Sequence, residues 1–220
     1  MIEIKHYQDI YIFDDGKVRE FLIIGQKKAV LIDTGFKDTH VIDLVKSMTS
    51  LPVQLIITHG NRDHIGDLED FEECFIHQKD ETLITCDIQK HYLKDGDMIN
   101  INDYHFKVIE ILGHTYGSIA LFDESRGLLI GGNSVQVGPI YMFGEHRNLD
   151  LYITSMEKLM KIQDKIQVIL PSHHLYPITR EYIEYCLNDA IKLKNGQLQG
   201  STVNEMPCNC FKGEHVQFLF

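Results

Sequence analysis

"LIITHGNRDHIGD", residues 55–67, decides how this chain is read. The apolar run Leu55-Ile56-Ile57 breaks abruptly into His59, Asn61, Asp63 and His64. Residues 53–58 have the length and aliphatic character of a short buried strand. The polar residues 59–64 have the character of a site. Packing does not require two imidazoles and a carboxylate in so short a space, whereas these are donors that divalent zinc prefers. The neutral Asn61 among them needs its own account.

Upstream, Ile10-Tyr11-Ile12-Phe13 and Phe21-Leu22-Ile23-Ile24 flank Asp14-Asp15-Gly16-Lys17, and Asp-Gly between β-rich runs signals a hairpin. Ala29-Val30-Leu31-Ile32 runs into Asp33-Thr34-Gly35, where Asp33 reads as a hydrogen-bonded turn acid. Residues 38–48 suit a helix with Val41, Leu44, Val45 and Met48 on one face, and a further helix is expected from Gly66 through Phe71. Downstream, residues 104–111, 119–122 and 127–130 read as strands. Met156, Leu159 and Met160 mark one helix, and the stripe of Ile183, Cys186, Leu187, Ala190 and Ile191 marks another. Strands first, then mixed strands and helices, indicate an α/β fold with helices covering sheets.

One arrangement recurs. Separate strand-like runs each end in a polar, metal-capable residue: residues 53–58 deliver His59, 106–112 deliver His114, 128–130 deliver Asn133, and 168–170 deliver His173. Strand C-termini in layered α/β folds are where loops converge on a rigid scaffold, and where sites form.

These elements resemble the metallo-β-lactamase superfamily, in the hydrolase branch that includes glyoxalase II-like thioesterases. The family's H-x-H-x-D-H motif corresponds to His59-Gly60-Asn61-Arg62-Asp63-His64. "LIDTG" (31–35), "GHTYGS" (113–118, with Tyr116 where a proline is usual), "LLIGGNSV" (128–135) and "LPSHH" (170–174) occur in the family's order. The resemblance implies a four-layer αβ/βα sandwich, with residues 1–220 as a single domain. It implies one metal site at His59, Asn61 and His114, a second at Asp63, His64 and His173, and a bridging position at Asn133. Two departures remove good ligands: Asn61 replaces an imidazole and Asn133 an anionic bridge. Two adjacent cations repel, so the expectation becomes a mononuclear centre at Asp63, His64 and His173, with zinc as the first choice and iron or manganese as alternatives.

The implied activity is hydrolysis of an ester, thioester, lactone or amide by a metal-activated water. Asp63, His59 and His114 are the candidate catalytic residues. Asn61 and Asn133 are candidates for positioning water, although Asn133 in Gly-Gly-Asn also suits a tight turn. Tyr116, Tyr141, His146 and His174 are candidates for the substrate pocket, and residues 136–150 for its specificity loop. The alternative is a non-catalytic metal- or ligand-binding protein on a degenerate version of the fold. The iron redox branch fits less well, because the chain lacks both the motif's glutamate and the bridging carboxylate.

Composition bounds the remaining possibilities. With 220 residues, 44% of them hydrophobic, the chain can build a substantial core. A net charge of −11 argues against nucleic-acid partners, whose phosphates need clustered Lys and Arg. No run approaches the ~20 apolar residues of a membrane span, and the N-terminal residues lack a signal peptide's apolar core, so no membrane partner and a cytoplasmic location are expected. Cys74, Cys86, Cys186, Cys208 and Cys210 form no disulfide framework; Cys208-x-Cys210 with His215 lacks zinc-finger spacing and reads as reduced thiols near a C-terminal loop.

Overall fold

The Asp-Gly signal makes the first turn of the fold. In the computed structural model, which describes residues 2–220, the backbone N–H groups of Lys17 and Val18 donate to Asp15 Oδ1 at 2.7 and 2.8 Å, and Gly16 takes φ +86°. This closes the hairpin between β2 (Ile10–Asp14) and β3 (Arg19–Ile24), with Asp14 opposite Arg19. The side chain does locally what a backbone turn would otherwise do.

The chain divides into two compact units, residues 1–109 and 110–220. In the first, β1 (Glu3–Tyr7), β2, β3 and β4 (Ala29–Ile32) form an antiparallel meander. From β4 the sheet turns parallel through β5 (Val53–Ile56), β6 (Glu73–His77) and β7 (Gln89–Leu93), giving seven strands in sequence order. The β4–β5 crossover carries α1 (Val41–Met48), as parallel neighbours require. Val41 and Val45, one helical turn apart, are fully buried in one cluster with Leu31 and Leu55 from the strands and Ile57 just beyond β5. β8 (Met98–Ile101) pairs antiparallel with β9 (Tyr104–Glu110), which runs to the boundary at residues 109–110.

In the second unit, β10 (Ile119–Asp123) pairs antiparallel with β11 (Leu128–Gly132), and β11 pairs parallel with β13 (Val168–Pro171). The helices α2 (Leu149–Met160) and α3 (Glu181–Lys194) flank β13 in sequence. A four-stranded sheet runs β12 (Pro139–Tyr141), β16 (Gln217–Leu219), β15 (Asn209–Lys212), β14 (Gly200–Thr202).

Three expectations change. The helix expected from Gly66 through Phe71 is only a 3-10 turn over Leu68–Asp70. Gly66 is pressed so closely on the preceding loop that a Cβ would lie 2.1 Å from the Lys37 nitrogen, which holds this segment as a tight connection. The expected loop 136–150 contains β12 and the first two residues of α2, Leu149 and Asp150. The expected C-terminal loop forms β14, β15 and β16. There Cys210 Sγ points to Gln217 Oε1 at 3.6 Å and His215 stacks on Tyr185 with ring centroids 3.7 Å apart, so these residues serve the sheet and its helix. No described helix is long and apolar enough to cross a membrane.

Candidate metal centre

In the first unit, the parallel register sets Ile32 beside Ile56, so the residues just beyond these strand ends meet. Asp33 is fully buried and takes φ +64°. Its Oδ1 accepts the Thr58 backbone N–H at 2.7 Å. Its Oδ2 accepts the Thr58 hydroxyl and faces His64 Nδ1, each at 2.7 Å. The carboxylate can only accept, so His64 carries its proton on Nδ1 and Nε2 is the nitrogen left to bind a cation. Thr58 gives its hydroxyl proton to Asp33, so at 3.0 Å it accepts from His59 Nδ1. His59 is thereby set in the same tautomer, its ring 4.0 Å from that of His64. Asp63, half-buried, brings Oδ2 to 3.4 Å from His64 Nε2.

The loop that carries these groups is tied down by main-chain bonds. His64 N donates to Asn61 O at 2.9 Å, Thr34 N to His64 O at 2.9 Å and Gly66 N to Gly35 O at 2.9 Å. Burial alone would lower the His64 pKa, but the charges of Asp33 and Asp63 outweigh it and push it up to about 10. A cation on Nε2 would displace the proton that this field attracts.

In the second unit, His114 follows Gly113, whose φ of +127° and contact with Tyr152 leave no room for a side chain; a Cβ would lie 2.3 Å from the Tyr152 nitrogen. Gly113 O accepts from Asn148 N at 2.9 Å, and the Asn148 side chain caps α2 by accepting from Leu151 N at 2.9 Å. The start of α2 therefore positions His114. His114 Nδ1 donates to the backbone carbonyl of Tyr141 at 3.0 Å, again leaving Nε2 for a ligand.

Asn133 follows β11 and is buried, and its Oδ1 has no hydrogen-bond partner among the described residues. The turn's positive φ falls on Gly132, at +52°, so the tight turn does not account for the asparagine. Ser172, on the neighbouring strand end, donates its N–H to Gly132 O at 3.1 Å, and its buried hydroxyl is likewise unpartnered. A buried bare oxygen costs free energy unless something supplies a donor. His173 is half-buried beside His174, with centroids 6.1 Å apart. His174, at φ +59°, lies over Gly138, where a Cβ would meet its ring at 2.2 Å.

Of the remaining pocket candidates, Tyr116 and His146 meet edge to face at 6.1 Å. Tyr141 is exposed, and its carbonyl rather than its hydroxyl does the work at His114. Asn61 borders a cavity in the first unit. The histidine-holding roles of Thr58 and the Tyr141 carbonyl were not anticipated from the sequence. For Thr58 the signal is its place at the end of a strand parallel to the one that presents Asp33; a main-chain acceptor carries no sequence signal.

Comparison with known proteins agrees with this architecture. The family profile described as "Metallo-beta-lactamase superfamily" matches residues 18–79. An acyl-coenzyme A thioesterase MBLAC2 from Gallus gallus is 23% identical, over 80% of this chain and 82% of its own. A hydroxyacylglutathione hydrolase from Bdellovibrio bacteriovorus is 26% identical, over 84% of this chain and 73% of its own. The solved structure of a metallo-beta-lactamase from Pontibacter korlensis superposes with a TM-score of 0.71 at 19% identity, covering 87% of this chain and 99% of that one. The mixed α/β fold with several sheets is therefore that of the metallo-β-lactamases. The profile match over residues 18–79 and these relatives make the chain similar to the metallo-beta-lactamase superfamily, whose fold it shares.

Proposed function

We propose that this protein is a metal-dependent hydrolase of a small ester, thioester, lactone or amide, with thioesters foremost, working at a single metal held by Asp63, His64 and His173. One observation carries the reading: His59, His64 and His114 each have Nδ1 engaged by an oxygen acceptor, namely Thr58, Asp33 and the Tyr141 carbonyl. Histidines that serve as ligands are set this way, whereas histidines that merely fill a core need no common tautomer. Thioesters come first because the thioesterase and the hydroxyacylglutathione hydrolase are relatives similar over most of this chain.

The donor set fits a metal with open positions, since imidazole and carboxylate suit zinc and, with less preference, iron or manganese. Such a metal would supply a Lewis acid and an activated water at neutral pH. The chain's own residues do the rest. Asp63 orients the reacting water and, with Asp33, supplies the negative charge that retains a cation. His59 and His114, each with Nε2 as the basic nitrogen, accept and return a proton. Asn133 offers its bare Oδ1 as an acceptor that aligns the water, with Asn61 as a second amide for water or substrate. Tyr116, Tyr141, His146 and His174 border the substrate. The reading treats residues 1–220 as one functional domain, acting on a small molecule in the cytoplasm.

A second reading, a non-catalytic binding protein, draws on the same two amides, because Asn61 and Asn133 stand where stronger ligands are usual. A panel of chromogenic thioesters, esters, lactones and a cephalosporin, assayed before and after chelation, separates the two. Thioester turnover that chelation removes and zinc restores is expected. Silence across the whole panel with metal bound would favour the binding protein.

A further inference from the structure

A cavity of about 580 Å³ lies entirely within the first unit, against Gly60 and Asn61 of the metal motif. That volume suits a small organic ligand. Its walls are tied to the motif on one side and to Asp67 on the other. Gly60 N donates to the buried Asp80 Oδ2 at 2.8 Å, which ties the 3-10 segment Gln78–Leu83 to the motif. Leu83 packs so closely on Gly60 that a Cβ there would lie 2.7 Å from it. On the other side, Asp67 accepts the backbone N–H groups of Asp38 and His40, the former at 2.8 Å, which fixes the loop carrying Lys37. The floor is apolar, with Ile65, Leu83 and Ile84. Lys37 and Arg62 border it, and neither forms an ion pair among the described residues. Both are exposed at its rim, where they give the opening a positive character in a chain with 32 acidic and 21 basic residues. Among the described residues Glu69 is the only acid on the lining, and Cys86, half-buried with a free thiol, completes it.

We propose that this cavity is a specificity pocket for an acyl group that ends in a carboxylate, with the carboxylate held by Lys37 and Arg62 and the methylene stem lying on Ile65, Leu83 and Ile84. This rests on the hydrolase reading for its biological sense, because the pocket adjoins Asn61 and would take the part of the substrate remote from the scissile bond. An apolar stem gains from the floor, and the terminal carboxylate distinguishes the ligand from an ordinary fatty acyl group through charge-assisted hydrogen bonds.

Cys86 reports occupancy without turnover. The metal-loaded protein is treated with N-ethylmaleimide, and modification of the Cys86 peptide is followed by mass spectrometry in the presence of suberate, octanoate or 1-octanol. Suberate should slow Cys86 modification about tenfold at concentrations where octanoate and 1-octanol have little effect, and Lys37→Ala with Arg62→Ala should abolish that selectivity. Equal protection by all three ligands, protection that survives in the double variant, or no protection at all would overturn the proposal. Turnover of a neutral acyl thioester, measured alongside, reports separately on the hydrolase reading. Selective protection without turnover leaves the pocket standing and removes the hydrolase; turnover without selective protection does the reverse.

Discussion

His64 and His114 use the same nitrogen, Nδ1, to fix their orientation, but they lean on different chemistry. In residues 1–109, Nδ1 of His64 meets the Asp33 carboxylate, itself held by two groups of Thr58. In residues 110–220, Nδ1 of His114 meets a main-chain carbonyl, that of Tyr141. The first arrangement concentrates negative charge around buried groups, and the second is neutral throughout, down to Asn133 where an anionic residue is usual. The first unit should therefore respond strongly to pH and to side-chain substitution, and the second mainly to backbone changes.

The largest effect is expected at Glu20. Burial raises its pKa to about 9, reinforced by the charges of Asp33 and Asp15, while His64 opposes the shift. The unfolded chain releases this proton near the ordinary glutamate value, so between there and about 9 the unfolded state binds fewer protons and rising pH weakens the fold. In chelator-treated protein, Glu20→Gln should become more stable relative to the wild type by up to about 4 kcal/mol as pH rises from 4 to 8, measured by urea unfolding. A pH-independent difference would show that the buried site does not hold Glu20 protonated.

Backbone fit comes next and tests both units alike. Gly66→Ala and Gly113→Ala should each cost about 3 kcal/mol, since each forces a Cβ into main-chain atoms. Circular-dichroism melts would register this as a clear fall in Tm, and unchanged melting would contradict the close approaches.

The histidine anchors divide the units most sharply. Asp33→Asn should weaken metal affinity about 10- to 100-fold, as loss of an orienting carboxylate generally does. Tyr141→Ala keeps the carbonyl that holds His114 and should change affinity by no more than about twofold. Competition with a chromogenic chelator gives both numbers, and equal losses in the two variants would erase the distinction.

How far the sequence revealed this arrangement depended on the kind of signal. The β2–β3 hairpin was legible because Asp15-Gly16 makes its turn with its own side chain and a positive φ. The strand ends that present His59, Asn133 and His173 were legible because short apolar runs stop at polar residues. Asp33 was legible as a hydrogen-bonded turn acid, but its hold on His64 needs the parallel register of β4 and β5, which lies outside any local pattern. The expected helix at 66–71 failed because local apolar spacing carries no information about the loop that crowds Gly66. The strands β14, β15 and β16 are short and partly exposed, and lack an alternation long enough to read.

The central claim is that Asn61 and Asn133 leave one strong metal position, dependent on Asp63 and His64. Elemental analysis of protein purified without chelator tests it directly. About one equivalent of divalent metal per chain is expected, lost in Asp63→Ala, retained in Asn61→Ala, and raised towards two by Asn61→His combined with Asn133→Asp. Two tightly held equivalents in the unaltered chain, or one that survives Asp63→Ala, would contradict it.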